Sequence, residues 1–202
     1  MPKPKARQEK KEESWSAAIL AGGSSSRMGQ DKALLQDDTG RTWLERAVEV
    51  AMTKAKRILV LPGPSIRYTD LTLPAAVEFV PDAMDAIGPL GGIWTAIRKT
   101  QSTYLLCLTC DMPGLTKENV DELGKPLKEE WAVFASHTYF PCVIRLHSKV
   151  EKILLAQINS DRPSVGRFLL ELKARPVSLS FKEELANLNY PEDYNVWKES
   201  IS

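Results

Sequence analysis

Apolar and polar residues alternate along this chain in short blocks that predict strands and helices in turn. Two apolar runs, residues 17–20 and 104–108, have the length of β-strands. The second (YLLCL) is apolar at every position, as expected of a parallel strand that is buried on both faces. A similar run at Arg57–Leu61 and a shorter one at 77–80 predict two more strands.

Helical periodicity fills the intervals between these strands. Thr42 and Glu45 have the spacing of a capping box, and apolar residues then recur every three or four positions, which predicts a helix to about Ala55. Further helices are expected after the glycine-rich segment 88–92 and from 117 to about 127. Strands that alternate with helices predict an α/β fold: a doubly wound, mostly parallel, Rossmann-like sheet with helices on both faces.

The two ends of the chain differ in character from its middle. Residues 1–14 carry charges of both signs and almost nothing apolar, which predicts a disordered charged tail, whereas 15–202 are expected to form a single domain. In the last third the pattern predicts a strand at 131–135, a strand region at 137–145, helices at Ser148–Ile158 and 164–172, a strand at 176–181 and a helix after Pro191.

Composition excludes several classes of function. The chain of 202 residues has 27 basic and 26 acidic side chains, so its net charge of +1 provides no general attraction for nucleic acid or a membrane surface. No apolar run approaches the ~20 residues of a membrane helix, and the N-terminus lacks the apolar segment of a signal peptide. Three cysteines do not make a disulfide framework. We therefore expect a cytoplasmic protein without a membrane or nucleic-acid partner.

The densest cluster of candidate chemistry directly follows the first strand. Residues 20–32 read LAGGSSSRMGQDK. Gly22 and Gly23 allow backbone N–H groups to close on an anion, and Arg27 and Lys32 suit the charge of a polyphosphate. The spacing matches neither the Walker sequence nor the dinucleotide fingerprint. An ordinary surface loop rich in serine and glycine is the alternative.

Two carboxylates follow later strands of the predicted sheet. Asp111 comes directly after the run at 104–108, where it is placed to hold a Mg²⁺ ion that bridges phosphate oxygens, although a helix cap is the alternative. Asp82 precedes the glycine-rich segment 88–92, and a plain turn is its alternative. Since ligands of open α/β sheets bind at the carboxyl ends of the strands, we expect these segments and the first loop to converge on one crevice.

These motifs together resemble those of the molybdenum cofactor guanylyltransferases, in the nucleotidyltransferase superfamily. The resemblance rests on LAGG-x-x-x-RMG-x-DK at 20–32, G-P-L-G-G at 88–92 and C-D-x-P at 110–113, and it extends over about 16–197. It implies transfer of GMP from GTP to the terminal phosphate of molybdenum-molybdopterin, with release of pyrophosphate. Molybdoenzyme apoproteins or cofactor-insertion chaperones are further candidate partners.

The resemblance also implies roles for individual residues. Nucleotide-binding positions are Leu20, Ala21, Gly22, Gly23, Lys32, Asp82 and Asp111. Catalytic positions are Arg27, Lys32 and Asp111, with Asp111 holding Mg²⁺. Asn189, in N-x-N-x-P-E-D at 187–193, is the acceptor-binding candidate, and a helix start at the proline is its alternative. Leu61 departs from the family, which often has a polar residue there.

Two other functions remain open at this point. A CTP-dependent molybdopterin cytidylyltransferase, or another NTP:phosphate nucleotidyltransferase, would share the fold and the phosphate loop. Cytidylyltransferases of this fold, however, more often carry Ala-Ala-Gly where this chain has Leu-Ala-Gly-Gly at 20–23. A non-catalytic nucleotide-binding or cofactor-delivery module would not need the metal carboxylate of Asp111. The spacing of Cys107 and Cys110 favours two buried small residues over a redox pair.

Overall fold

The structure, a computed structural model, describes residues 13–22, 31–64, 68, 70–84, 87–126 and 129–180. The strands are β1 (Trp15–Leu20), β2 (Arg57–Leu61), β3 (Val77–Phe79), β4 (Tyr104–Thr109), β5 (Ala132–Ala135), β6 (Cys142–Arg145) and β7 (Arg175–Val177). The helices are α1 (Trp43–Met52), α2 (Pro89–Lys99), α3 (Lys117–Leu123), α4 (Ser148–Ile158) and α5 (Val165–Glu171). A short 3-10 helix, Lys32–Leu34, follows β1.

One mostly parallel sheet organises these elements, in the order β3-β2-β1-β4-β6-β5-β7. β1 pairs in parallel with both β2 and β4, β2 with β3, and β5 with β7. Only β6 runs antiparallel to its two neighbours within the described residues. The predicted α/β class is therefore confirmed, with one reversed strand that the sequence pattern did not distinguish.

The chain crosses the sheet in two directions, and this places helices on both faces. It leaves β1 toward β2 and β3, then returns past β1 to β4. Right-handed crossovers in opposite directions place α1 and α2 on opposite faces. An ion pair between Lys54 and Asp121 (2.6 Å) joins the end of α1 to α3, and α2 packs with α4 on the other side. The carboxyl ends of β1 and β4 thus form the switch point, where open α/β sheets bind ligands.

Burial follows the apolar pattern of the sequence. The side chains of β1 from Ser16 to Leu20 and of β4 from Tyr104 to Leu108 are buried, as are those of β2 from Ile58 onward. In α1 the capping box of Thr42 and Glu45 is present, and the apolar face is buried against the sheet. Each fully buried leucine or isoleucine contributes about 1.5–3 kcal/mol to the free energy of folding through removal from water.

Some predicted boundaries are wrong, for local reasons. α3 ends at Leu123 rather than near 127, because Gly124 at φ +66° terminates it in the left-handed region that glycine favours. α1 ends at Met52 rather than near Ala55, and the Thr53 hydroxyl donates to the Val50 carbonyl there (2.7 Å). β7 covers 175–177 rather than 176–181. The helix expected after Pro191 lies outside the described residues.

Glu13 and Ser14, at the border of the predicted tail, are bound to the domain. The Ser14 carbonyl accepts hydrogen bonds from the amides of Thr103 (2.9 Å) and Tyr104 (3.0 Å). Glu13 pairs with Lys125 (2.5 Å). The other twelve tail residues lie outside the described part, so the tail itself stays a prediction. Across the described ranges, no helix is long and apolar enough to cross a membrane.

Two truncations test where the domain begins. Removal of residues 1–12 is expected to leave the melting temperature unchanged, because their composition offers nothing apolar to bury. Removal of 1–14 also deletes the Ser14 carbonyl and should lower the free energy of unfolding by about 1–2 kcal/mol. Thermal and urea unfolding of both variants gives the measurement. A large loss of stability in the shorter truncation would contradict the predicted tail.

Candidate active site at the carboxyl edge of the sheet

The chain leaves β1 in close contact with the loop after β2. The Ala21 amide donates to the Leu61 carbonyl (3.0 Å), which extends the β1–β2 pairing by one bond. A Cβ added to Gly22 would lie 2.9 Å from the Gly63 nitrogen, so backbone meets backbone there. Gly22 is therefore required by packing as well as by any approach to a ligand. Gly23, its predicted companion, lies outside the described residues.

Lys32 opens the 3-10 helix, and Asp31 fixes the start of that helix. Asp31 is the N-cap, and its Oδ1 accepts a hydrogen bond from the Ala33 amide (3.0 Å). A carboxylate in this position satisfies an amide that would otherwise lack a partner at the helix start. The Lys32 ammonium is thereby set at the edge of the sheet, where its side chain is 15% exposed.

The Lys32 ammonium lies 3.7 Å from Asp111 Oδ2, which joins the first loop to the end of β4. Asp111 Oδ1 is buried and has no hydrogen-bond partner among the described residues. The alternative of a helix cap is wrong, since α3 begins at Lys117 and is capped by Thr116. Asp111 Oδ1 is thus a buried acceptor at the end of β4 whose hydrogen-bonding capacity the described protein does not satisfy.

Cys110 directly precedes Asp111 in the chain and is buried. Its amide donates to the Leu20 carbonyl (3.3 Å) and so closes the gap between β1 and β4. Burial raises the pKa of the Cys110 thiol strongly, and the carboxylates of Asp111 and Asp31 raise it further, whereas Lys32 opposes them. The thiol is therefore neutral at physiological pH and inert, as expected of a buried cysteine. Two carboxylates, not one, therefore contribute to the electrostatics of this thiol.

Asp82 and the Leu20 side chain both lie against the start of α2. Its amide donates to the Gly63 carbonyl (2.9 Å). A Cβ added to Gly92 would lie 2.6 Å from Leu20 Cδ2 and 3.7 Å from Asp82 Oδ1, so this glycine keeps the first turns of α2 close to both residues. Thr95 binds the two segments together, since its hydroxyl accepts from the Ala83 amide (2.9 Å).

Tyr68 is a site residue that sequence reasoning missed. Its hydroxyl lies 2.8 Å from Asp31 Oδ2 and 3.2 Å from the Ala21 carbonyl oxygen. It therefore contacts both flanks of the 20–32 motif. No pattern marked it, because the stretch between β2 and β3 has neither strand nor helical periodicity.

The predicted site residues divide into two groups. The structure brings six of them to one edge of the sheet: Leu20, Ala21, Gly22, Lys32, Asp82 and Asp111. Gly23, Arg27 and Asn189 lie outside the described residues, and their roles stay predictions. No group of three or more His, Cys, Asp or Glu side chains that could hold a metal occurs in the described part of the chain.

A glycine-bearing loop and a Lys–Asp pair at the switch point of a doubly wound sheet are features of a nucleotide-binding α/β enzyme. Comparison with known proteins gives the particular family. The chain belongs to the MobA-like NTP transferase domain family, which matches residues 17–174. It is thus a nucleotidyltransferase by family.

Individual relatives agree with this assignment. A protein named probable molybdenum cofactor guanylyltransferase, from Trichormus variabilis, is 33% identical over 89% of this chain and 88% of its own length. Among solved structures, molybdopterin-guanine dinucleotide biosynthesis protein A from Archaeoglobus fulgidus superimposes with a TM-score of 0.69 at 18% identity, over 92% of this chain and 98% of that one.

Proteins with other names share this fold. The 4-diphosphocytidyl-2C-methyl-D-erythritol synthase of Anaerococcus prevotii superimposes with a TM-score of 0.68 at 11% identity, over 94% of this chain and 96% of that one. At such identities the likeness shows the fold alone.

Two adjacent glycines of α2 test the packing of this edge. A Cβ at position 91 would lie 2.8 Å from the Met84 carbonyl oxygen, which is backbone, whereas one at 92 would meet the end of the Leu20 side chain, which can shift by a change of rotamer. Gly91→Ala is therefore expected to lower the free energy of unfolding by about 1–3 kcal/mol. Gly92→Ala should cost less than about 1 kcal/mol, because alanine also favours the helix. Equal melting temperatures for both variants would contradict the described packing.

Proposed function

We propose that this protein transfers GMP from GTP to the terminal phosphate of molybdenum-molybdopterin, giving the guanine dinucleotide form of the cofactor and pyrophosphate. The observation that carries the proposal is the meeting of Lys32 and Asp111 at 3.7 Å, on the two motifs that most resemble the family. The name of the Trichormus relative supports the choice of nucleotide and acceptor.

The chemistry requires positioning and charge neutralisation more than proton transfer. The nucleophile is a phosphate oxygen of the acceptor, which is already anionic at neutral pH, so no general base is needed. In phosphoryl transfer the enzyme aligns the attacking and leaving oxygens and stabilises the charge between them. Lys32 is placed to neutralise charge that moves onto the departing pyrophosphate, and the backbone at Leu20, Ala21 and Gly22 faces the nucleotide.

The residues at the end of β4 fit a magnesium ion. Magnesium takes one or two carboxylates together with phosphate oxygens and water, and Asp111 offers a buried carboxylate oxygen without a partner in the described protein. When bound, the ion would supply positive charge that reduces the repulsion between the acceptor phosphate and the phosphates of GTP. Asp111 would hold it, and Lys32 remains beside the same carboxylate.

Other predicted contacts extend the site on both sides. Asp82, held against α2, is proposed on the guanosine side of GTP. Arg27 and Gly23 are proposed at the phosphates, and Asn189 at the acceptor. Molybdoenzyme apoproteins or cofactor-insertion chaperones are proposed as recipients of the product. A cytoplasmic location of the protein is proposed together with these substrates.

Base selectivity distinguishes this proposal from a cytidylyltransferase. We expect GTP to be preferred over CTP and ATP by at least ~10² in kcat/KM, because polar groups that hydrogen-bond one base edge are left unpaired with another. The measurement is pyrophosphate release from purified protein with each NTP, Mg²⁺ and molybdopterin. Equal turnover of CTP would refute the guanine assignment and leave the fold unaffected. Nucleotide binding without pyrophosphate release would favour a delivery module.

Substitutions of Asp111 and Lys32 separate the two proposed roles. Asp111→Asn preserves size but removes the charge that holds Mg²⁺, so turnover should be mostly lost and partly restored by more Mg²⁺. Lys32→Ala should be slower by about 10²-fold, and Mg²⁺ should not restore it, because the lost charge is the lysine's own. The assay is the initial rate across a Mg²⁺ titration.

The chain offers a matched control for this pair. Lys54 and Asp121 form an ion pair at the opposite end of the sheet (2.6 Å). Lys54→Ala and Asp121→Asn should leave turnover and its Mg²⁺ dependence unchanged, since exposed pairs contribute less than about 1 kcal/mol to stability. Wild-type turnover of Asp111→Asn at low millimolar Mg²⁺ would refute the metal role.

A further inference from the structure

We propose that Tyr68 is a positioning residue that fixes both flanks of the 20–32 motif and so sets Lys32 for the reaction. This inference rests on the proposed function, in which Lys32 neutralises the departing pyrophosphate. Its basis is the single hydroxyl that lies between Asp31 Oδ2 (2.8 Å) and the Ala21 carbonyl oxygen (3.2 Å).

The two contacts of the hydroxyl differ in strength. A phenol carries one proton, and both Asp31 and Ala21 offer acceptors, so the proton is shared between them. The shorter contact goes to the carboxylate, which is the stronger acceptor because it is charged. Tyr68 therefore holds the Asp31 carboxylate through the stronger bond and keeps the Ala21 backbone close to its hydroxyl through the weaker one. In the chain, Ala21 precedes the glycines and the arginine of the motif, and Asp31 follows them.

The contact with Asp31 reaches Lys32 through one further hydrogen bond. Asp31 uses Oδ2 for Tyr68 and Oδ1 for the Ala33 amide (3.0 Å), so both carboxylate oxygens are engaged. That second bond caps the 3-10 helix in which Lys32 is the first residue. The Lys32 ammonium then lies 3.7 Å from Asp111. Loss of the Tyr68 hydroxyl would remove one of the hydrogen bonds that orient the Asp31 carboxylate and would weaken this cap.

The backbone and surroundings of Tyr68 agree with a positioning role. Its φ of +68° lies in the left-handed region, which non-glycine residues rarely adopt. Residues with such backbone conformations cluster at functional sites. The side chain is 8% exposed, and its ring lies 6.4 Å from that of Phe79. The ring thus has packing of its own, so that a phenylalanine keeps the packing and loses only the hydroxyl.

The test is Tyr68→Phe with Tyr104→Phe as the matched control. Tyr104 is also buried, but its hydroxyl faces Glu13 (3.5 Å) at the opposite end of the sheet. Misplacement of Lys32 should lower kcat of Tyr68→Phe about tenfold. The KM for molybdopterin should stay unchanged, and the melting temperature should fall by no more than a few degrees, as expected for one lost hydrogen bond. Tyr104→Phe should keep the wild-type kcat.

A double-mutant cycle asks whether Tyr68 acts through Lys32. In a Lys32→Ala background the tenfold effect of Tyr68→Phe should shrink to less than about threefold, because the group being positioned is gone. A tenfold effect that persists in that background would overturn the proposal. So would a loss of kcat that disappears when both proteins are assayed well below their melting temperatures, which would indicate a purely structural residue.

Hydrogen exchange supplies a measurement that does not depend on the reaction. Exchange at the Ala33 amide should become about tenfold faster in Tyr68→Phe and stay unchanged in Tyr104→Phe, because the cap is held through Asp31. If the wild-type protein releases no pyrophosphate with any NTP and acceptor, the proposed function fails, and the contact with Asp31 is judged by this exchange alone. Unchanged exchange in Tyr68→Phe would refute the positioning role whatever the activity.

Discussion

The in-register parallel pairing of β1 with β4 is the constraint on which the whole site depends. It places Leu20 beside Thr109, and the bond from the Cys110 amide to the Leu20 carbonyl closes the pair at its end. Lys32 and Asp111 meet only because their loops leave these two strands side by side. A slip of one residue would move Asp111 by about 3.3 Å along the strand and take it out of reach of the lysine. Burial on both faces of the two strands opposes such a slip.

Electrostatic forces at this edge are local rather than general. The net charge of +1 gives little attraction for a triphosphate at a distance. Among the described residues, two carboxylates, Asp31 and Asp111, and one ammonium, Lys32, act electrostatically on the Cys110 thiol. One lysine with two carboxylates does not balance a polyanion, so the proposed reaction requires further positive charge. A divalent cation on Asp111 and the guanidinium of Arg27 are the sources that the proposed function supplies.

The sequence predicted the bounds of an element well where the apolar periodicity was strong and ended at a clear local signal. β2 and α4 have the expected bounds, and Asp111 was singled out because a carboxylate shortly after a fully apolar run is conspicuous. The reversed direction of β6 depends on how the chain turns after β5, which apolar patterning does not encode. Tyr68 was missed for a related reason, since its partners Asp31 and Ala21 lie far from it in the chain.

Base recognition has to come from a few positions, because the fold itself is shared. A synthase named for a cytidyl compound superimposes as well as the molybdopterin-guanine protein does, with TM-scores of 0.68 and 0.69. Leu61, where the family often has a polar residue, is 1% exposed, and its Cβ would lie 3.8 Å from a Cβ at Gly92. It therefore packs in the core and offers a base no hydrogen bond. Among the described residues near Gly92, Asp82 carries a polar side chain, and this is why the proposed function assigns it to the guanosine side of GTP.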